Sequence, residues 1–228
     1  TPVGMYPNVD DSVIDDLTQF PNLEAVLDLT YNPARTAILL KAEKMGLPAV
    51  NGLKMLVAQA KESAEWFTGE KLDDSVIDSI YRELHCRMEN IVLIGMPGCG
   101  KSTIGKLLAK SLNRPFVDAD SVLEETYGRP ITSIIPEDGE EAFRDMECQV
   151  LHDLGKQSGL VIATGGGCVT RPENYVNLHR NGRIFWLMRD TALLPTAGRP
   201  LSKPGKLEEM LAIRGPLYER FADRIIDN

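Results

Sequence analysis

Residues Ile91–Thr103, IVLIGMPGCGKST, hold the pattern that decides the fold. Gly95–Ser102 matches G-x-x-x-x-G-K-[ST] at every fixed position, with an apolar run typical of a buried strand before it and apolar residues at helical spacing after it. In such a strand, loop and helix, the glycines let backbone N–H groups approach phosphate oxygens, and the helix N-terminus adds positive potential. The sequence therefore predicts a phosphate-binding loop. The alternative, an accidental glycine turn before a core helix, leaves the strand and helix on either side unexplained.

The side chains of this loop suit a bound nucleotide. Lys101 can reach the outer phosphates, and the hydroxyl of Ser102 can ligate Mg²⁺. Cys99 could be a reactive thiol near a helix start, but a small residue tolerated in the loop is the simpler interpretation. The candidate nucleotide-binding residues are Gly98, Cys99, Gly100, Lys101, Ser102 and Thr103.

The composition is that of an ordinary globular protein. Of the 228 residues, 43% are hydrophobic and 25% are charged, and the formal net charge is −8. This acidic balance argues against nucleic acid or an anionic membrane as the main partner, so an anionic substrate would need individually placed arginines. No signal peptide, membrane-spanning apolar run or zinc-type cysteine spacing is found, and we expect a reducing cytoplasm as the location. The oligomeric state cannot be predicted from these features.

Hydrophobic periodicity predicts two parts, residues 1–87 and 88–228. The first part is mostly helical, with a strand at Leu23–Leu29 and helices over Thr36–Met45, over Leu53–Phe67 and from Asp73. The second part alternates strands at Ile91–Ile94, Pro115–Asp120, Leu160–Thr164 and Arg183–Leu187 with helices, one of them running from Glu140 through Leu154. This alternation predicts an α/β fold, a parallel sheet with helices on both faces and sites at the carboxyl ends of the strands.

The hexapeptide DDSVID occurs twice, at Asp10–Asp15 and at Asp73–Asp78. Similarity does not extend beyond the six residues on either side. We therefore interpret the two copies as two acidic helix starts, not as a structural repeat.

Two acidic residues, Asp118 and Asp120, end the second strand of the second part. Residues two apart on a strand point to the same face, so both carboxylates should leave one face at one end of the sheet. Taken alone, either residue could instead be a helix cap or a turn former.

Five segments in the second part share a resemblance: Phe116–Asp120 (FVDAD), Phe143–Arg144 with Glu147, Gly165–Gly167, Gly198–Leu201 (GRPL) and Arg214–Tyr218 (RGPLY). With the phosphate-binding loop, their order and spacing from Met88 to about Asp227 closely resemble the motifs of shikimate kinases. The resemblance implies a phosphate-loop kinase fold, ATP and Mg²⁺ as cofactors, and phosphorylation of the 3-hydroxyl of shikimate.

The same resemblance implies roles for individual residues. Asp118 would hold Mg²⁺ through water, and Asp120 would accept hydrogen bonds from the ring hydroxyls, including the one that attacks. Arg144 and Arg214 would clamp the substrate carboxylate, for which the planar guanidinium fork is suited. Taken singly, each arginine would more simply be a solvated surface group.

Two further segments complete the implied site. Gly165, Gly166 and Gly167 would let the substrate lie against the sheet edge, and Arg199 would be the lid arginine that closes over the transferring phosphate. The lid segment Thr191–Gly198 lacks an additional arginine that some members place ahead of the Arg-Pro pair. The sequence also stops at Asn228, where the family usually continues, and we therefore expect weakened contacts with the adenine.

Four segments in the first part carry a second resemblance: Thr1–Met5 (TPVGM), Asp28–Pro33 (DLTYNP), Asn51–Ala60 (NGLKMLVAQA) and Trp66–Gly69 (WFTG). Together they are similar to the C-terminal part of shikimate dehydrogenases. In that family the residues matching Tyr31 and Gln59 contact the substrate, although here a core-edge tyrosine and a polar helix residue are the simpler interpretation. The family's catalytic lysine and aspartate and its dinucleotide loop would precede Thr1, so no dehydrogenase activity is expected.

Two other functions stay open. Another small-molecule kinase of the same fold, acting on gluconate or a nucleoside monophosphate, would share the phosphate-binding loop. The arginine pair with Asp120 instead suits a polyol that bears a carboxylate, and a nucleobase would not need that clamp. The alternative that is not an enzyme is a module that binds a nucleotide without turnover.

Overall fold

The computed structural model describes residues 3–194 and 204–228. Spatial contacts between residues divide the chain into two compact units, Thr1–Glu89 and Asn90–Asn228. The division lies two residues beyond the boundary that the sequence predicts. Within the described residues, no helix is long and apolar enough to cross a bilayer.

The first unit contains the helices that the sequence predicts and a small parallel sheet. Its elements are β1 (Val26–Leu27), α1 (Ala37–Lys44), β2 (Ala49–Val50), α2 (Leu53–Thr68) and α3 (Ser75–Met88). The strand predicted over seven residues is reduced to the two that pair with β2. Gly69 ends α2 in the left-handed conformation, with φ at 74°, which glycine adopts without the steric cost that other residues pay.

The repeated hexapeptide adopts two different structures. At Asp73–Asp78, the Asp73 carboxylate accepts a hydrogen bond from the Ser75 backbone N–H at 2.8 Å and α3 begins. At Asp10–Asp15 the backbone is irregular, and only a short 3-10 turn follows, at Leu17–Gln19. The prediction of a helix start at the first copy is therefore wrong. The six residues therefore do not determine the structure by themselves, and an acidic residue of each copy pairs with a lysine: Asp74 with Lys61 at 2.9 Å and Asp15 with Lys41 at 3.8 Å.

The buried core of the first unit is small. Its buried apolar cluster consists of Leu17, Val26, Leu39 and Ala42, and α3 contributes no buried residue. Large apolar side chains are exposed on β1 and at the end of α2, where Trp66 is 87% and Phe67 is 92% exposed. Such exposure is unusual for a self-sufficient small domain, because folding stability comes mainly from apolar burial.

We predict that residues 1–89 expressed alone will aggregate or fold loosely, whereas residues 90–228 will unfold in one cooperative transition. Burial of a large apolar side chain is worth ~2 kcal/mol, so leaving several exposed removes a stabilisation comparable with that of a whole small domain. Thermal unfolding and sedimentation of both fragments measure this. A sharp transition and monomeric behaviour for residues 1–89 would contradict the prediction.

The second unit is built on five parallel strands in the spatial order β4-β5-β3-β6-β7. Their bounds are β3 (Asn90–Ile94), β4 (Phe116–Asp118), β5 (Val161–Ala163), β6 (Gly182–Met188) and β7 (Arg224–Asp227). The four strands predicted from the sequence are present in the positions expected, and β7 was not predicted. The parallel α/β fold is thus confirmed.

Helices connect these strands: α4 (Lys101–Leu112), α5 (Ala119–Tyr127), α6 (Ile131–Gly155), α7 (Glu173–His179) and α8 (Pro204–Phe221). Crossovers between parallel strands are right-handed, and the connection through α4 crosses the sheet in the direction opposite to the others. Therefore α4 covers one face and α5–α8 cover the other. The central strands are correspondingly apolar and buried, as in Val92–Ile94 and Val161–Ala163.

One helix departs from the sequence prediction. α6 begins at Ile131, well before the predicted start at Glu140, and Gly139 interrupts it with φ at 90° and ψ at 164°. Pro136 and Gly139 conceal this first helical segment in the sequence, because both residues normally end a helix. The two segments of α6 consequently point in different directions, and residues of the first one reach the cavity described below.

Candidate active site

The phosphate-binding loop follows β3 at the carboxyl edge of the sheet, and its glycines are required by the backbone. Gly95, Gly98 and Gly100 have φ values of 141°, 85° and 98°, which side chains disfavour. A Cβ on Gly95 would also lie 2.6 Å from the carbonyl oxygen of Leu187 in the neighbouring strand. The loop can therefore take this tight path only with glycine at these positions.

Lys101, the first residue of α4, is folded back into the loop. Its ammonium group donates hydrogen bonds to the carbonyl oxygens of Gly95 at 2.8 Å and Met96 at 3.0 Å, and the residue is 8% exposed. Cys99 is fully buried, and its Sγ lies 3.9 Å from this ammonium. A positive charge is thus held at the helix N-terminus, where unpaired backbone N–H groups also favour an anion.

Ser102 and Asp118 bring two oxygen donors together beside the loop. The Ser102 hydroxyl donates to Asp118 Oδ2 at 2.7 Å, and Asp118 Oδ1 caps α5 by accepting from the Asp120 N–H at 3.2 Å. Hydroxyl and carboxylate oxygens are the ligands that Mg²⁺ prefers, with water completing its shell. This pair fits Mg²⁺. Elsewhere in residues 3–194 and 204–228, no group of three or more His, Cys, Asp or Glu could hold a metal.

Asp120 reaches the same edge by a different route from the one predicted. β4 ends at Asp118 and Asp120 lies in the first turn of α5, not on the strand. The prediction that both aspartates lie on one strand and point to the same face is therefore wrong for Asp120. The side chain nevertheless points toward the loop after β5, because a Cβ on Gly165 would lie 2.7 Å from Asp120 Oδ1.

A second carboxylate, Glu147 of α6, approaches the same glycine. Its Oε1 would lie 2.6 Å from a Cβ on Gly165, and this atom is buried with no hydrogen-bond partner among the described residues. Burial raises the pKa of Asp120 to about 6, and the charges of Glu147 and Asp118 add to the shift. Burial likewise raises the pKa of Glu147, although Arg144 opposes it. The two acids therefore share a poorly solvated space.

Arg144 lies one turn before Glu147 and pairs with it. The guanidinium donates to Glu147 Oε2 at 2.7 Å and to Glu140 Oε1 at 3.2 Å. A Cβ on Gly167 would collide with both Nη atoms of Arg144, so the guanidinium packs on this glycine because it has no side chain. Arg144 and Glu147 are only 12% and 3% exposed at their side chains, so this arginine is not the solvated surface group of the alternative interpretation.

Arg214 of α8 also reaches the glycine loop. Its Nη1 donates to the carbonyl oxygen of Gly166 at 3.2 Å. A Cβ on Gly166 would lie 2.8 Å from the ring of Pro97 in the phosphate-binding loop. The loop Gly165–Gly167 therefore contacts both arginines and the phosphate-binding loop.

A cavity of about 800 Å³ lies beside the phosphate-binding loop. Its lining includes these predicted site residues: Gly98, Gly100, Lys101, Ser102, Thr103, Asp118, Asp120 and Gly166. Among the described residues, it includes neither Arg144 nor Arg214, whose guanidinium groups contact Gly167 and Gly166 instead. The predicted lid residue Arg199 lies outside the described residues.

Sequence reasoning missed several parts of this site. Glu147 was noted in a motif without a role. Its position three residues after Arg144 on a helix is the signal that could have predicted the ion pair between the two residues. Sequence reasoning also missed an apolar wall of the cavity: Ile131, Ile135, Pro136, Leu207 and Met210. Three of these five residues belong to the first segment of α6, which the sequence did not predict as a helix.

The charge on Asp120 should destabilise the folded protein, since its pKa of about 6 exceeds the ~3.9 of an unfolded chain. The cost is absent below pH ~4, where both states are protonated, and complete above pH ~6. We predict that Asp120→Asn raises the free energy of unfolding by ~2 kcal/mol at pH 7 and has little effect at pH 4. Urea denaturation at the two pH values measures this.

Asp153 provides the matched control for this test. Partial burial acts against it, but hydrogen bonds from Gln149 and Lys156 lower the pKa of Asp153. Asp153→Asn should therefore lose stability at neutral pH, the opposite sign. Equal destabilisation by Asp120→Asn at both pH values would contradict the prediction.

The second unit is similar to known proteins in sequence and in fold. A sequence model of the family described as shikimate kinase matches residues 97–228. A shikimate kinase from Dechloromonas aromatica (strain RCB) is 42% identical over 147 residues, which cover 60% of this chain and 80% of that protein. The solved structure of a shikimate kinase from Acinetobacter baumannii in complex with shikimate aligns with a TM-score of 0.61 at 35% identity, covering 64% of this chain and 87% of that one.

A further solved structure, a chorismate mutase/shikimate 5-dehydrogenase fusion protein from Clostridium acetobutylicum, is 39% identical over 37% of this chain and 30% of that one. Its TM-score is 0.35, which is too low to establish a common fold.

Proposed function

The chain belongs to the shikimate kinase family, and from this premise we propose that its second unit performs the family's reaction with the residues that surround the 800 Å³ cavity. The reaction is the ATP-dependent phosphorylation of shikimate at its 3-hydroxyl, giving shikimate 3-phosphate and ADP. One observation carries the assignment of residues: the phosphate-binding loop, Asp118, Asp120 and Gly166 all line the same cavity. A phosphate donor and an acceptor hydroxyl could therefore meet there.

The phosphates of ATP would bind where Lys101 now lies. Its hydrogen bonds to Gly95 and Met96 are made to neutral carbonyl oxygens, and a phosphate oxygen is a stronger acceptor for an ammonium group. The lysine would turn outward, and the N–H groups at the start of α4, including those of Ser102 and Thr103, would face the phosphates. Gly98, Cys99 and Gly100 supply the backbone that closes around them.

Mg²⁺, when bound, neutralises charge on the phosphates as the phosphoryl group is transferred. Ser102 and Asp118 would hold it. The Ser102 hydroxyl would then exchange its hydrogen bond with Asp118 for a role as a ligand. Asp118 would remain anchored, because it also caps α5 through the Asp120 N–H.

Asp120 would orient the attacking hydroxyl and accept its proton. A general base works best when its pKa lies close to the operating pH, and burial brings the pKa of Asp120 up to about 6. The carboxylate therefore stays mostly ionised at pH 7 while being a better base than an exposed aspartate. The charges of Lys101 and Arg144 lower the pKa of Asp120. The same two cations would offset the negative charge of an approaching substrate.

Arg144 and Arg214, which both contact the glycine loop, would bind the carboxylate of shikimate. Glu147 holds Arg144 at 2.7 Å, which reduces the entropy that the side chain would otherwise lose on binding. The absence of side chains at Gly165, Gly166 and Gly167 lets protein groups pack directly on the loop, which brings the groups that would bind the acceptor to the sheet edge where the ring would lie. The role of Arg199, closing over the transferring phosphate, is proposed from its sequence motif.

Lys101→Met tests the assignment, because it removes the charge that acts on the phosphates and keeps a side chain of similar length. We expect shikimate-dependent ADP release to fall by ~10³-fold or more, the loss typical when a charge-stabilising group is removed. The measurement is a coupled ADP assay with and without shikimate.

Lys110→Met is the matched control, since Lys110 lies exposed near the end of the same helix. This control should retain activity within a factor of about two, as expected for a surface change. Near-normal shikimate phosphorylation by Lys101→Met would contradict the assignment. ADP release with gluconate but not with shikimate, or nucleotide binding without turnover in the unaltered protein, would support the alternatives.

For the first unit we propose descent from the C-terminal part of a shikimate dehydrogenase, without dehydrogenase activity in this chain. The support is the set of motifs at Thr1–Met5, Asp28–Pro33, Asn51–Ala60 and Trp66–Gly69. Tyr31 and Gln59 are both exposed, Tyr31 to 38%. We also propose the cytoplasm as location, consistent with four cysteines that form no disulfide in the described residues.

This second proposal predicts that the purified chain forms no NADPH from NADP and shikimate. The physical reason is that neither unit offers the Gly-x-Gly-x-x-Gly turn on which a dinucleotide pyrophosphate binds. Absorbance at the NADPH band measures it, with kinase turnover in the same sample as a control for native protein. NADPH formation that depends on shikimate would refute the proposal.

A further inference from the structure

Tyr218 of α8 has a fully buried side chain whose hydroxyl is directed at the glycine loop. The hydroxyl donates a hydrogen bond to the carbonyl oxygen of Gly166 at 2.5 Å. Arg214, one turn earlier on α8, donates to the same oxygen at 3.2 Å. A carbonyl oxygen accepts two hydrogen bonds, so these two side chains together saturate it.

Tyr218 also contacts the strands and the loop on either side. Its ring stacks on Trp186 of β6 with centroids 5.6 Å apart at an interplanar angle of 29°, and its hydroxyl lies 4.0 Å from the sulfur of Met96 in the phosphate-binding loop. The ring is therefore fixed by packing, and the hydroxyl is held in place independently of its hydrogen bond to Gly166. Burial raises the pKa of Tyr218, so the hydroxyl keeps its proton and remains a donor.

The orientation of the glycine loop follows from this hydrogen bond. A peptide unit is planar, so a fixed carbonyl at Gly166 also fixes the direction of the Gly167 N–H. The carbonyl of Gly167 is held in turn by the Thr170 N–H at 3.0 Å and hydroxyl at 2.7 Å. The loop therefore keeps its shape only while both carbonyls are bonded.

Nη1 is the atom of Arg214 that bonds the loop, at 3.2 Å from the Gly166 carbonyl oxygen. If it moves to a substrate carboxylate, its hydrogen bond to Gly166 is weakened or lost. The Gly166 carbonyl is partly buried, and losing its donors there costs free energy that would be subtracted from substrate affinity. With Tyr218 in place, the carbonyl keeps one hydrogen bond and Arg214 is free to turn.

We propose that Tyr218 is a positioning residue for the carboxylate-binding site, whose hydroxyl holds the Gly166 carbonyl so that Arg214 can leave it for the substrate. The inference rests on the proposed function, in which Arg214 binds the shikimate carboxylate. Tyr218 itself touches neither the substrate nor the reacting atoms.

Tyr218→Phe tests the proposal, because phenylalanine keeps the ring and its stacking on Trp186 but lacks the hydroxyl. We expect KM for shikimate to rise about tenfold, which corresponds to ~1.4 kcal/mol. KM for ATP should stay within about twofold and kcat within about threefold, because the defect lies in carboxylate binding and not in phosphoryl transfer. Combining Tyr218→Phe with Arg214→Lys should give less than the product of the separate effects, as coupled neighbours do.

Tyr175→Phe is the matched control. Tyr175 of α7 stacks on His179 and meets Phe221 edge-on, outside the cavity, and its loss should leave both KM values unchanged. A cooperative urea transition establishes that each variant is folded. Should Tyr218→Phe fail that test, Tyr218→Met, which fills similar space without a hydroxyl, must show the same selective rise.

The outcomes separate the two hypotheses. If the unaltered protein and Tyr175→Phe phosphorylate shikimate while folded Tyr218→Phe keeps its KM for shikimate, the positioning role is refuted and the proposed function stands. A fall in thermal stability with unchanged KM values would likewise show that Tyr218 only supports the fold. If no sample turns over shikimate, the proposed function fails and this inference fails with it.

Discussion

The site depends on the lack of side chains at three successive glycines after β5. A Cβ on Gly165 would meet two carboxylates, one on Gly166 would meet Pro97, and one on Gly167 would meet the guanidinium of Arg144. These glycines are required for space, since none of them has a positive φ. Their narrow backbone lets groups from α5, α6, α8 and the phosphate-binding loop converge at one point on the edge of the sheet. Everything that would bind the acceptor is arranged around that point.

Burial of opposite charges around this loop is better explained by binding than by stability. The pair Arg144–Glu147 is almost wholly buried, and such pairs often contribute little to stability because desolvation offsets their attraction. Asp120 is worse placed, since two acidic neighbours and burial all disfavour its ionised form. An enzyme that must bring a carboxylate and several phosphates together needs cations that are already desolvated and held in position. The destabilisation is then a consequence of building that site among buried acidic groups.

Local motifs in the sequence predicted the parts of the fold that depend on local chemistry. The phosphate-binding loop and the four strands around it follow from residue type and spacing, as glycine conformation and apolar runs dictate. The predictions failed where distant packing decides. The same hexapeptide starts a helix at Asp73 but not at Asp10, although an acidic residue of each copy pairs with a lysine. The helical segment before Gly139 was missed because its proline and glycine normally signal a break.

The unpredicted contacts at the site share one physical logic. Lys101 donates to the carbonyls of Gly95 and Met96, and Arg214 donates to that of Gly166, so each cation is satisfied by backbone oxygens of the loop beside it. A neutral ligand would gain little by displacing such bonds, whereas an anion forms a stronger, charge-assisted one. Sequence motifs can name the cations, but only the fold shows which oxygens they must give up. Selectivity for anionic groups therefore comes from the exchange of acceptors, and the donors that remain, such as Tyr218 on the Gly166 carbonyl, determine how much that exchange costs.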